Sequence, residues 1–139
     1  MWMNRSLLQG PRVALVATDK QFLVAKLSAG VECTDPLLTD TMSACVHSYN
    51  DANGDLVCIV GINLSACSQM DGIGIAALLA HEAVHIWQRV RERLGPGDLG
   101  CEMEAYAVQN IVSNLMHGYI AISSSPCLPS ALRQKRQRT

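Results

Sequence analysis

The sequence predicts an α+β fold, with a small antiparallel sheet containing one hairpin packed on about three helices. Three observations carry this. Two strand-like runs, ACVHSY (44–49) and LVCIVGI (56–62), flank the turn-rich NDANGD, whose Asn-Gly suits a tight reversal. About 23 residues between Asp71 and Gly95 read as a helix, with a side-chain cap in front and Gly-Pro-Gly behind. A further helix is expected over Leu99 to His117, closed by Gly118.

The remaining elements follow in order. RVALVA (12–17) is short, apolar and β-branched, as a strand should be. TDKQ (18–21) then forms a capping box, in which Thr18 accepts from first-turn amides and Gln21 reaches back. The helix it opens runs to Ala29, with Phe22, Leu23 and Leu27 as expected inward residues and Gly30 as its stop. TDPLLTDTMS is a loop or a short helical turn. The second hairpin strand is apolar almost throughout, so it should lie against the core or beside another element. The long helix from Asp71 is apolar nearly all round at first and carries Ala76, Ala77, Ala80 and Ala83, which suits close-packed neighbours. After Gln88 it turns polar. Trp87 reads as core packing and His47 as a sheet-surface residue. On the last helix Glu102, Tyr106, Gln109 and Ser113 form a polar stripe, and Met103, Val108, Ile111, Val112 and Leu115 belong to the apolar remainder.

With 139 residues, 49% apolar and 17% charged, the chain can bury one core and is not a disordered polymer. Two Trp, three Tyr and one Phe leave that core to aliphatic side chains. The domain is expected over 1–120, followed by a disordered segment at 121–139. That segment holds Arg133, Lys135, Arg136 and Arg138 and no acid, so the net charge of −1 divides into an acidic body and a basic tail. The tail reads as a solubilising end, or as a weak nucleic-acid or membrane-surface contact. Without interleaved aromatics it is a poor base-stacking surface. No uncharged apolar run reaches 18 residues, which argues against a membrane span. MWMNRSLLQGPR lacks the apolar core of a signal peptide, so a cytoplasmic location is expected. Cysteines 33, 45, 58, 67, 101 and 127 include no CxxC pair and read as reduced, mostly buried thiols. A Cys45–Cys58 bridge across the hairpin is the exception that a suitable register would allow.

The chemistry-bearing stretch is HEAVH (81–85) on the long helix. Residues i and i+4 share a helix face, so His81 and His85 project together and can share one tetrahedral zinc. Glu82 lies one position round, where its carboxylate can approach a metal-activated water without ligating the metal, as a general base does. Zinc would lower the water pKa to about 7. An open catalytic site needs a third protein ligand, and GCEMEAYAVQNI (100–111) offers Glu102, 17 residues after His85 and beyond a tight turn. Glu104 is its rival, but two helical steps turn it about 200° away.

HEAVH followed by EMEAY resembles the gluzincin metallopeptidases, most of all their minimal single-domain members; the likeness covers roughly 73–117. The resemblance implies a zincin-like fold and one zinc per chain held by His81, His85 and Glu102, with Glu82 as catalytic base. It also implies hydrolysis of a polypeptide bound in extended form. The hairpin would supply the edge strand, with DLVCIVGIN as the candidate for pairing with substrate. Tyr106 stands where relatives often carry Asp or Asn. His117, Tyr119 and Tyr106 are candidates for stabilising the oxyanion, with His117 the catalytic residue chosen beside Glu82. The main alternative is a non-catalytic, zinc-stabilised binding module, for which Glu82 would be superfluous. A metal-free interaction protein would have to bury polar groups at 81, 82 and 85 at roughly 1–3 kcal/mol each.

Overall fold

The computed structural model describes residues 10–39, 41–97 and 100–124. It is an α+β domain in which strand β1 (Arg12–Val16), helix α1 (Asp19–Ser28), strands β2 (Ala44–Asn50) and β3 (Leu56–Ile62), and helices α2 (Leu64–Cys67), α3 (Gly72–Leu94) and α4 (Cys101–Ser123) follow one another. The three strands form one sheet in the order β1-β3-β2.

The sheet is mixed, not antiparallel as the sequence led us to expect. β2 and β3 form the antiparallel hairpin, with Ala44 opposite Ile62 and Asn50 opposite Leu56. β1 lies parallel to β3, with Arg12 opposite Val57 and Val16 opposite Gly61. A parallel pair needs a long crossover, which α1 and the chain through β2 supply. The hairpin turn is held by Asp51, whose Oδ1 accepts from the amides of Asn53 and Asp55 at 2.9 Å each. Gly54 follows at φ +81°, a conformation that favours glycine.

β3 is the central strand, which explains its unbroken apolar run: both of its faces are covered. On one face Val13, Leu15, Cys58, Val60 and Ile62 pack against Leu79, Ala83 and Ile86 of α3 and Leu115 and Tyr119 of α4. On the other, Ala14, Val16, Val57 and Ile59 meet Phe22, Ala25 and Ala29 of the α1 segment, with Val31 and Leu37. The hairpin register sets Cys45 opposite Gly61 and Cys58 opposite Ser48, so the two thiols do not face each other and the bridge considered above does not form. Burial pushes the Cys58 thiol up to about 11, which keeps it protonated at neutral pH. Cys127 lies outside the described residues.

α1 opens as its sequence requires. Thr18 Oγ1 accepts from Gln21 N at 3.2 Å, and Gln21 Oε1 accepts from Ala17 N at 2.8 Å. Its inward face is corrected, however: Phe22, Ala25 and Lys26 are buried, whereas Leu23 and Leu27 are exposed. The small alanines let the helix lie close on the sheet, and this fixes its rotation regardless of the leucines. Lys26 tolerates burial because its Nζ donates to Cys33 O at 2.7 Å and sits 4.4 Å from the Phe22 ring centre.

Leu37, in the loop after α1, presses on β3 at Gly61. A Cβ there would lie 2.7 Å from Leu37 Cδ1 and 3.0 Å from its carbonyl oxygen. Gly61→Ala is expected to cost about 1–3 kcal/mol through this overpacking. A urea melt with an unchanged midpoint would show that Leu37 simply moves aside.

α2 is a single turn that the sequence reading passed over, capped by Asn63 Oδ1 accepting from Ala66 N at 3.1 Å. α3 begins at the expected cap, with Asp71 Oδ1 accepting from Gly74 N at 2.7 Å. α4 runs past Gly118, where the sequence suggested a stop, to Ser123. Gly118 is buried with Leu115 and Tyr119, and that packing outweighs the roughly 1 kcal/mol propensity cost of one glycine. The domain boundary proposed at 120 therefore falls inside a helix, and the basic tail lies outside the described residues. No described helix is long and apolar enough to cross a membrane.

Candidate metal centre

The site is built on the third and fourth turns of α3. Ala83, Ile86 and Leu79 turn into the core, which aims His81 and His85 outward on the opposite flank. Their Nε2 atoms lie 3.0 Å apart with the rings edge to face. Nitrogens that close can both contact one divalent cation, whose bonds to imidazole run roughly 2.0–2.1 Å. His85 is further oriented by Gln88: its Nδ1–H donates to Gln88 Oε1 at 3.0 Å. An amide oxygen can only accept, so in the neutral ring Nε2 keeps its lone pair, the form a metal takes. Gln88 was missed in the sequence reading, although its place three residues after His85 on one helix face was a sufficient signal.

Glu82 lies about 100° round the helix from His81 and about 60° from His85, and it is buried where they are exposed. It is 3% exposed, and Oε2 has no hydrogen-bond partner among the described residues. Burial raises its pKa, and the nearby charges of His81 and His85 oppose the rise. Burial and then the Glu82 carboxylate raise the Cys45 thiol in turn, which places β2 alongside this part of α3.

β2, not β3, is therefore the strand at the edge beside the site, which corrects the candidate edge strand DLVCIVGIN. Its outer edge can be deduced. Asn63 N donates to Ser43 O at 2.9 Å and Asp51 N to Asp55 O at 3.0 Å, bracketing the hairpin ladder. Hydrogen-bonded pairs alternate along an antiparallel ladder, so Ala44, Val46, Ser48 and Asn50 turn their N–H and C=O groups outward. Apart from a 3.9 Å contact of the Cys45 thiol with Val46 O, no partner for these groups is found among the described residues.

α4 presents the other predicted residues. Glu104 faces α3, where it accepts from Trp87 Nε1 at 2.7 Å and Arg91 at 3.3 Å. Trp87 is two steps from His85, on the far side of α3, so Glu104 is occupied away from the histidine pair. Glu102, Tyr106, Gln109 and Ser113 are all exposed and keep the stripe expected of them. Among the described residues no three His, Cys, Asp or Glu side chains converge, so the structure brings His81 and His85 together but does not join Glu102 to them. His117 is exposed on α4, with Nδ1 donating to Ser113 O at 2.9 Å, and Tyr119 is buried in the core. His47 is no bare surface residue: its Nε2 donates to Leu37 O at 2.8 Å and its ring packs against Phe22 and Tyr49.

No protein-family model matches this chain, and neither a curated protein nor a solved structure is detectably similar to it.

Proposed function

We propose that the protein is a zinc-dependent metallopeptidase of gluzincin type. The observation that carries this reading is the arrangement of HEAVH: two exposed imidazoles with their Nε2 atoms 3.0 Å apart, and beside them a buried carboxylate with an oxygen unpartnered among the described residues. A helix that merely satisfied its polar groups would not leave Glu82 Oε2 bare at 3% exposure, because that costs roughly 1–3 kcal/mol.

The donors fit a divalent cation in kind. His81 and His85 would hold it, with Gln88 fixing the second ring and Glu102 reaching from α4 as the third ligand. When bound, zinc would supply the positive charge that makes water a nucleophile at neutral pH. Glu82 would accept the proton of that water and pass it to the leaving amine. Its burial suits the task, since a carboxyl with a raised pKa holds the proton longer before releasing it. The outward amides and carbonyls of β2 would bind a polypeptide in extended form by strand addition. His117, whose Nδ1–H is held by Ser113 O, would offer Nε2 as the candidate for stabilising the oxyanion.

The test is zinc content of the full chain purified without chelator. About one zinc per chain is expected, absent from His85→Ala, weakened on the order of tenfold or more in Glu102→Ala and unchanged in Glu104→Ala. A folded wild type that neither contains nor takes up zinc would overturn the reading. One that binds zinc but cleaves no unfolded polypeptide would be the zinc-stabilised binding module instead.

A further inference from the structure

The groove between β2 and α3 does not end at the histidines. α3 and β2 run side by side in the same direction. Glu82 lies near Cys45 at one end, and Arg93 donates to Asn50 Oδ1 and, at 2.8 Å, to Gly54 O at the other. Eleven residues of helix and five of strand each span about 16 Å, so the two elements stay in step. Toward the Arg93 end lies a cavity of about 320 Å³ lined by Val46, Ser48 and Asn50 of β2 and by Arg89, Glu92 and Arg93 of α3.

Its charge is unbalanced. Arg89 is paired with Glu92, through contacts of 2.9 and 3.2 Å. Arg93 bonds only to neutral oxygens, and no ion pair of Arg93 is present among the described residues. Two guanidinium groups thus face one carboxylate, beside strand residues whose backbone groups point into the open. Arginine's planar fork suits a carboxylate.

We propose that this end of the groove is a subsite for an acidic side chain, so that the ligand is an extended peptide pairing along β2 with an Asp or Glu seated against Arg93 and Arg89. This rests on the reading of β2 as the peptide-binding edge. The helical rise from His85 to Arg89 and Arg93 is about 6–12 Å, which puts the acidic residue about two to four positions from the histidine pair.

Binding of fluorescein-labelled, amidated ten-residue Ser/Thr peptides, followed by anisotropy, tests this without turnover. Each peptide carries one Glu at successive positions and is compared with its Gln counterpart, on full-length Glu82→Gln protein with and without zinc. One position is expected to favour Glu about tenfold, and the preference should fade as salt is raised. Arg93→Gln should abolish it. Glu92→Gln, which frees Arg89, should increase it, so the idea stays testable even if Arg93→Gln fails to fold. Equal binding of Glu and Gln peptides at every position, no binding by any of them, or a preference that survives loss of both arginines would overturn the subsite. Acid preference in a protein that takes up no zinc would overturn the peptidase reading alone. Cleavage of peptides without any acid preference would overturn the subsite alone.

Discussion

Glu82→Gln is expected to retain zinc and to lose about 10²–10⁴-fold in peptide hydrolysis, the range a positioned general base contributes. The amide fills the same volume beside His81 and His85 but cannot take a proton. The same substitution has a second signature in the metal-free protein. Burial raises the Glu82 pKa in the folded state, so the folded chain keeps a proton at pH values where the unfolded chain has released it. Wild-type stability should therefore increase as pH falls from neutral toward the ordinary carboxylate range. The variant lacks this contribution, and the difference between their melting curves at each pH isolates Glu82. Equal hydrolysis by the two proteins would remove Glu82 from the chemistry. Equal pH slopes would mean that its carboxylate is solvated in solution.

Leu115→Ala should cost about 2–5 kcal/mol, a large part of the roughly 5–15 kcal/mol that holds a domain together. Leu115 is fully buried where α4 meets the sheet and α3. The loss combines the transfer energy of the missing methyl groups with the cavity they leave. Urea denaturation reads it directly. On the proposed reading, zinc at about 100 times its Kd would return up to about 2.7 kcal/mol, the full amount when the unfolded chain binds none. A Leu115→Ala/His85→Ala double variant should show no such rescue. Rescue that persisted without His85 would mean that the metal binds elsewhere.

Features that depend on local physics are legible in the sequence. The Thr18 and Asp71 caps, the Asn53-Gly54 turn and the long helix carrying HEAVH are all determined within a few residues of one another. So is the pairing of His81 with His85, which follows from helical periodicity alone. Trp87 was also legible as a core residue, being a large apolar ring on the same helix face as Ala80 and Ala83.

What only the tertiary structure decided concerns partners distant in sequence. The parallel pairing of β1 with β3 places an apolar strand at the centre and leaves β2 as the edge beside α3, because both faces of β3 must be buried. The rotation of α1 follows from which residues let it approach the sheet, and Leu23 and Leu27 lose that contest to alanines. Gly118 stays helical because the core holds it. Glu104 is drawn to Trp87 and Arg91 across the helix pair, a contact that no spacing rule contains. The burial of Glu82 with one bare oxygen is of the same kind. The sequence determined that a carboxylate stands between two histidines, and only the packing of α3 decided that it is buried while they are exposed.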